Sequence, residues 1–174
     1  MVGAVSQDTV IGDALLIPAI IGKLPAHGDF IARGIEFGLR EKLDLWMSQW
    51  IEQARAELGE DFETVYCSAA PWIFEGTRCR AVLIPSADAV GRLFPLLAIA
   101  NVDASSQLIY DTLIETLASG HSGDELVTRL AALECVDADA GTNQAGWFLP
   151  EGAEPTLPSP DAVEGWAGVE VCFV

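Results

Sequence analysis

Apolar residues in the first third of the chain follow two different patterns. Residues 15–21 are a short run rich in Leu and Ile, which is typical of a buried strand, and Pro18 within this run favours a sheet edge or a bulge. From residue 35 to residue 58 the apolar positions recur every three or four residues, which predicts a helix with one buried face, and Gly59 supplies the expected stop. The repeating positions are Ile35, Leu39, Leu43, Trp46, Met47, Trp50, Ile51, Ala54 and Leu58.

Short apolar runs separated by Gly, Ser and Asp predict further strands in the rest of the chain. The runs cover residues 71–76, 80–84, 93–100, 146–149 and 169–174.

Two amphipathic stretches lie among these runs. A helix is predicted from Ser105 or Ser106 to about Ser119, followed by Gly120, and a second helix over residues 124–133. In the first helix we expect four apolar side chains to face inward, namely Leu108, Ile109, Leu113 and Leu117.

The order of these elements predicts an α/β fold in which a mixed or antiparallel sheet is flanked by helices. A length of 174 residues fits one domain, which we expect over residues 14–174 after an N-terminal extension of residues 1–13. Residues 151–159 contain two prolines and show no helical period, so a loop is predicted there.

The charge of the chain is strongly acidic. Twenty-six acidic residues against 9 basic residues give a net charge of −17, which repels phosphate backbones and anionic lipid. We therefore predict neither a nucleic-acid partner nor membrane insertion. After Arg92 the only basic residue is Arg129, and solubility is the simplest explanation of such an acidic surplus.

Neither a membrane anchor nor a secretory signal is evident. The longest apolar candidate, residues 14–21, is shorter than the ~20 residues of a membrane span. Residues 1–13 contain no Lys or Arg, so a cytoplasmic location is predicted. The cysteines form no C-x-x-C pair and have apolar neighbours, so we expect them to be reduced, buried and structural. They are Cys67, Cys79, Cys135 and Cys172.

Two segments are denser in glycine, proline and charged residues than ordinary turns require. Residues 22–30 read G-K-L-P-A-H-G-D-F, and residues 85–95 read P-S-A-D-A-V-G-R-L-F-P. The candidate functional residues of the first motif are Gly22, Lys23, Leu24, Pro25, His27, Gly28, Asp29 and Phe30. Those of the second motif are Pro85, Ser86, Asp88, Gly91, Arg92, Phe94 and Pro95.

Both motifs resemble signatures of the bacterial TagF family, also called ImpM, whose members are accessory proteins of the type VI secretion system. The corresponding family segments read G-K-L-P-x-x-G-D-F and P-S-x-D-x-x-G-R-x-F-P, and the likeness extends from about Ile20 to Trp147 and Phe148. His27 falls at a variable family position, and Ile21 stands where an aromatic residue is common.

The resemblance implies a three-layer α/β sandwich and a negative post-translational regulator that binds a forkhead-associated scaffold protein. Some relatives are fused to a PP2C-type phosphatase domain. This chain ends at Val174 without such a domain, so we expect any phosphatase of the pathway to be a separate protein.

Local folding explains part of each motif and leaves alternatives open. Lys23 either pairs with Asp29 in a local turn or contacts a partner. Arg92 is either a structural clamp that pairs with Asp88 or Asp29, or a side chain that reaches out to an acidic or phosphorylated segment. Ser86 and Asp88 are predicted to cap the turn formed by residues 87–90.

Catalytic signatures are incomplete. The sequence His27-Gly28-Asp29 is superficially similar to the metal-binding loops of calcineurin-like phosphatases, but no further ligand cluster accompanies it. Zinc-ligand spacing, a phosphate-binding glycine loop and a G-x-S-x-G elbow are also missing, so we predict no cofactor and no metal.

The resemblance to the TagF family, together with the incomplete catalytic signatures, implies a non-catalytic regulator that acts by occluding a component of type VI secretion. Two alternatives remain. One is a structural or assembly subunit of the secretion machine. The other is a small hydrolase that uses Ser86, Asp88 and a histidine, either His27 or His121.

Overall fold

An antiparallel sheet of six strands forms the centre of the protein in a computed structural model that describes residues 15–133 and 145–174. The strand order is β2-β1-β5-β4-β3-β6, and each neighbouring pair is antiparallel. The strands are β1 (Leu15–Gly22), β2 (Ile31–Ile35), β3 (Trp72–Glu75), β4 (Cys79–Ile84), β5 (Leu96–Asn101) and β6 (Gly146–Phe148).

Helices cover both faces of this sheet. The described residues form α1 (Phe37–Leu58), α2 (Phe62–Ser68), α3 (Ser106–Ser119) and α4 (Gly123–Ala131). Short 3-10 turns occupy Gly59–Asp61, Pro160–Ala162, Glu164–Gly168 and Glu170–Cys172.

Successive residues of each strand point to opposite faces, so the sheet separates two hydrophobic cores. Strand side chains on one face of the sheet, such as Ile21, pack against α1, α2 and the C-terminal residues. Strand side chains on the opposite face, such as Ile20, pack against α3 and α4. The predicted α/β fold with three layers is thereby confirmed, with an antiparallel sheet over the described strands.

The strand predicted at residues 15–21 is confirmed as β1. Pro18 lies where the pairing of β1 with β2 slips between Leu15 and Ile20, and β1 has neighbours on both sides, so the proline marks a bulge and not an edge. The long helix begins at Phe37, two residues later than predicted, because Ile35 belongs to β2 and the carboxylate of Glu36 caps the helix by accepting a hydrogen bond from Gly38 N (3.2 Å). Its C-terminal stop at Gly59 is as predicted.

Three predictions at the level of single elements are wrong. Residues 169–174 form 3-10 turns and not a strand, because Val169 and Phe173, four residues apart, are both buried on one side of a helical turn. Leu108 is 38% exposed and does not face inward. The strand predicted at residues 93–100 begins only at Leu96, as β5, so residues 93–95 are not part of it. Leu93 instead forms an isolated antiparallel bridge with Ala87 and closes a loop.

A C-terminal segment, residues 157–173, completes the core beside α1. The indole N–H groups of Trp46 and Trp50, one turn apart on α1, donate to the carbonyl oxygens of Pro160 (2.8 Å) and Pro158 (2.7 Å). Trp166 packs against Trp46 in a tilted arrangement, with ring centroids 5.4 Å apart. The predicted loop at residues 151–159 contains no helix or strand, and the core role predicted for the two tryptophans of α1 is confirmed.

The cysteines divide by exposure. Cys79 is fully buried, and burial raises the pKa of its thiol to about 12. Cys172 is half-buried, whereas Cys67 is exposed, which contradicts the prediction that all four are buried. Cys135 and the predicted extension at residues 1–13 lie outside the described residues, and the domain boundary at residue 14 stays a prediction. In the part of the chain that the structure describes, no helix combines the length and apolarity required to cross a bilayer.

Candidate functional site

The two motifs form a pair of loops at one end of the sheet. The first motif loop, residues 22–30, leaves β1 at Gly22, and the second motif loop, residues 85–95, connects β4 to β5. Leu96 at the start of β5 pairs with both Gly22 and Ile84, so the sheet itself brings the two loops side by side.

Gly22 allows the closest approach between the loops. Its φ is +134°, and a Cβ atom at this position would overlap the carbonyl oxygen of Pro95. The same carbonyl accepts a hydrogen bond from Lys23 N at 3.3 Å. A glycine is therefore required here by both backbone conformation and space.

Asp88 is the centre of the loop pair. Its side chain is fully buried and lies 3.0 Å from Lys23 Nζ. It also accepts hydrogen bonds from Arg92 Nε (2.6 Å), Arg92 N (2.9 Å) and Val90 N (3.1 Å). Burial alone would raise the pKa of this carboxyl, but the hydrogen bonds from Arg92, Lys23 and Val90 outweigh burial and hold the pKa well below its ordinary range. Asp88 is thus an ionised, fully engaged structural group.

The partners of Lys23 and Arg92 differ in part from those predicted. Lys23 pairs with Asp88 and not with Asp29, whose carboxylate instead accepts a hydrogen bond from Phe30 N at 2.7 Å. Arg92 is a clamp, because its Nε donates to Asp88 and its Nη2 donates to the carbonyl oxygen of Gly28 at 2.7 Å. The Arg92 side chain is nevertheless 60% exposed, so its outer edge faces solvent.

Ser86 joins the loops to α2. Its hydroxyl donates to the carbonyl oxygen of Lys23 at 2.7 Å, and its backbone N–H donates to the hydroxyl oxygen of Tyr66 at 3.2 Å. Burial raises the pKa of Tyr66, which remains a neutral phenol in this setting. The predicted turn cap is therefore confirmed for Asp88 and wrong for Ser86, whose side chain bonds across to the first motif loop.

His27 connects the first motif loop to the second loop and to α4. Its carbonyl oxygen accepts from Ala89 N at 2.8 Å, and its Nε2 accepts from Gly123 N at 2.9 Å. Gly123 was not predicted from the sequence to belong to the site. A side chain at this position would be crowded, because its Cβ would lie 2.8 Å from Ile31 Cδ1. Its position after Ser122, the N-cap of α4, was the available signal for a helix start at this point.

The aromatic residues of the motifs pack against each other beneath the polar network. Phe30 and Phe94 meet edge-to-face, with centroids 5.7 Å apart, and the Arg40 guanidinium lies over the Phe30 ring at 5.5 Å. Leu24 is fully buried, and Pro85 is half-buried. These contacts connect the loop pair to the core.

The tip of the loop pair is exposed and largely apolar. Residues 25, 26, 28 and 29 of the first loop and residues 89–92 of the second are exposed, and Val90 is 72% exposed. A β-branched apolar side chain therefore projects from a loop whose backbone is fixed on both sides by hydrogen bonds to Asp88.

The contacts that a hydrolase would require do not form among the described residues. Ser86 Oγ faces a backbone carbonyl, His27 faces Gly123, and Nδ1 of His121 lies 3.6 Å from Glu125 Oε1. Within residues 15–133 and 145–174, no three His, Cys, Asp or Glu side chains converge as metal ligands.

The fold and the loop pair define a three-layer α/β domain with two interlocked motifs at one end of its sheet. A sequence model of the TagF N-terminal domain, described as type VI secretion system-associated, matches residues 19–138, which include both motifs. The chain belongs to this family.

The solved structures contain a similar fold. The crystal structure of PA0076 from Pseudomonas aeruginosa PAO1 superimposes with a TM-score of 0.56 at 20% sequence identity, covering 89% of this chain and 78% of PA0076. This likeness supports the fold alone. No curated protein matches the sequence.

Proposed function

We propose that the chain is a cytoplasmic, non-catalytic negative regulator of type VI secretion that binds a forkhead-associated scaffold protein and occludes it. Membership of the type VI secretion-associated TagF family supports the pathway. The proposed mode of action, binding without turnover, comes from the geometry of the motif loops.

One observation carries this proposal: the polar side chains of the motifs bond to each other, while the exposed tip is mostly apolar. Lys23, Asp88 and Ser86 are engaged within the loop pair, so none of them is available as an acid, base or nucleophile. A catalytic group needs access to a substrate atom, whereas a binding surface needs a rigid shape and an apolar anchor.

Val90 is the proposed anchor of the contact. Its backbone is held by Asp88, so little conformational entropy is lost when a partner covers its exposed side chain. The outer edge of Arg92 lies two residues away and supplies donors at the rim of the same surface. Covering this tip places the scaffold protein against the end of the sheet, where the bound regulator would block assembly.

Some members of the TagF family carry a PP2C-type phosphatase domain. This fusion suggests a phosphorylation step in the same pathway. We include a separate phosphatase of this type as a pathway component. Binding of the scaffold by the loop tip does not depend on it.

The binding step can be tested with the purified scaffold protein of the same secretion system. Val90→Asp places a charge at the tip, and Val171→Asp makes the same change at another exposed valine, in the C-terminal segment. We expect Val90→Asp to weaken binding by at least about tenfold, because a hot-spot anchor contributes ~1.4 kcal/mol or more. Val171→Asp should bind like the wild type.

Calorimetric titration gives the dissociation constants, and melting curves check that both variants fold. Unchanged binding by a folded Val90→Asp variant would show that the scaffold contacts another surface. Equal losses in both variants would indicate a general effect of added negative charge.

A further inference from the structure

A groove lies between the C-terminal end of α2 and the outer side of α3, next to the start of the second motif loop. It has a volume of about 320 Å³. Among the described residues it is lined by Cys67, Ser68, Ala69, Pro71, Ile84, Pro85, Tyr110, Ile114 and Leu117.

The apolar wall of the groove on α3 is only partly covered by the described residues, since Ile114 is exposed and Tyr110 and Leu117 are half-buried. Tyr110, Ile114 and Leu117 recur at helical spacing on one face, and Ile114 is 41% exposed. A volume of this size is at the low end for small-molecule sites, which span about 300–1,000 Å³. It fits one or two inserted side chains of a peptide better than a cofactor.

The surroundings of the groove are acidic. Asp111 is exposed three residues before Ile114 on α3, and Glu63 is exposed one helical turn before Cys67 on α2. None of the groove-lining residues is basic. The chain carries a net charge of −17, so its long-range field adds to this local attraction for cations.

The groove is held rigidly against the motif loops. Tyr66 of α2 accepts the hydrogen bond from Ser86 N, and Pro85, the residue before Ser86, lines the groove. The α2 wall of the groove is therefore tied to the second motif loop by the hydrogen bond between Ser86 and Tyr66.

A larger depression of about 550 Å³ lies along α4, but its charged groups already have partners. Asp124 bonds to Arg33, Arg129 bonds to Glu115, and His121 faces Glu125. In contrast, Asp111 makes only a neutral contact, with Gln107 Nε2 at 2.8 Å. The groove beside α3 is thus the better cation-attracting surface.

We propose that this groove binds a short segment of a partner protein in which an aliphatic or aromatic side chain is flanked by Lys or Arg. The apolar side chain enters between α2 and α3, and the basic residues face Asp111 and Glu63. This contact is separate from the loop tip and does not depend on which protein the tip binds.

Cys67 provides a direct probe, because it is exposed in the groove wall while Cys79 is buried. In a Cys135→Ser, Cys172→Ser background, the rate of maleimide modification reports access to the groove. The probe ligand is a synthetic peptide with a Leu-Leu centre and two Lys on each side, and its control carries Glu in place of Lys. We expect the Lys peptide to slow modification about fivefold at four times its dissociation constant.

Four further results are expected. The Glu peptide should give no protection, raising the salt from about 50 mM to about 0.5 M should weaken protection by the Lys peptide, and Ile114→Lys should abolish it in a protein that still melts cooperatively. Leu45→Lys, at an exposed apolar position on α1, should keep it.

Other outcomes overturn the proposal. Equal protection by both peptides would mean binding without charge recognition, and protection that survives Ile114→Lys would place the peptide elsewhere. No protection by millimolar Lys peptide would show that the groove does not bind this class of segment. A Cys67 that is unreactive without peptide would mean that another part of the chain or a second copy covers the groove.

Discussion

The motif loops and the C-terminal segment are both irregular in backbone conformation, yet they are held in opposite ways. In the loops, a buried carboxylate collects charged and backbone donors, and Asp88 contacts both Lys23 and Arg92. In the C-terminal segment, large apolar side chains fill space beside α1, and the ring centroids of Trp166 and Phe173 lie 5.3 Å apart. The family match covers the loops and ends at residue 138, before this segment begins.

The two regions tolerate different substitutions. Aromatic packing depends on volume and adapts to another residue of similar size. A buried ion network depends on the identity of each donor and acceptor, because a partner left alone is a buried, unsatisfied charge. The loops therefore carry a recognisable sequence motif, whereas the C-terminal segment has no comparable sequence pattern.

Removal of Trp166 should have the largest effect on stability. The side chain is 8% exposed and packs against Trp46 and Phe74, so Trp166→Ala leaves a cavity that costs about 3–5 kcal/mol. Urea denaturation gives the free energy of unfolding, with Trp166→Phe as a control that keeps an aromatic ring and most of the side-chain volume. A loss of less than about 1 kcal/mol would mean that the segment does not complete the core.

Gly22→Ala should destabilise the loop pair by about 3 kcal/mol, because the new methyl group meets Pro95 O in a backbone conformation that favours glycine. Gly91→Ala is the matched control, since its φ is +83° but the space around it is open. That control should cost about 1 kcal/mol. Equal losses in denaturant titrations of the two variants would contradict a close approach at Gly22.

Asp88 should make the stability of the protein sensitive to acid. Its pKa is lower in the folded protein than in the unfolded chain, so its stabilising contribution is present above about pH 4 and is lost as the pH falls toward the folded value. Melting temperatures measured from pH 7 to pH 3 should fall more steeply for the wild type than for Asp88→Asn. Asp103→Asn, at an exposed carboxyl, should follow the wild type; parallel curves for all three would exclude Asp88 as the cause.

Arg92→Ala should have the smallest effect, about 1 kcal/mol or less, because the guanidinium is mostly exposed and Asp88 keeps Lys23 and two backbone N–H groups as partners. Arg92→Lys keeps a charge beside Asp88 but loses the planar bridge to Gly28 O. Thermal denaturation should give nearly equal melting temperatures for Arg92→Ala and Arg92→Lys. A loss above about 3 kcal/mol for Arg92→Ala would show that the clamp is required for folding.

Periodic elements were readable from the sequence, because α1 and β1 keep one pattern over many residues. The strand β2 was missed since Ile31 is its only buried residue, and α2 was missed because its pattern consists of Phe62 and Tyr66 alone. The apolar run at residues 169–174 fits both a strand and a helical turn, and only packing beside α1 decides between them.

The composition of the candidate site could be predicted, but its pairing could not. Both motifs contain the residues that meet in the structure, and a clamp role for Arg92 followed from its neighbours. The Lys23 to Asp88 contact joins distant parts of the chain, as does the bond from Gly123 to His27, 96 residues apart. Such contacts are fixed by strand order, which local sequence patterns do not determine.

The proposed restraint of type VI secretion by the loop tip can be tested in the native host. The measurement is export of the tube protein by a deletion strain and by the same strain complemented with wild type, Val90→Asp or Val171→Asp. We expect deletion to raise export, wild type and Val171→Asp to restore repression, and stably expressed Val90→Asp to fail. Export abolished by the deletion would instead indicate a structural subunit, and full repression by Val90→Asp would contradict a role for the loop tip.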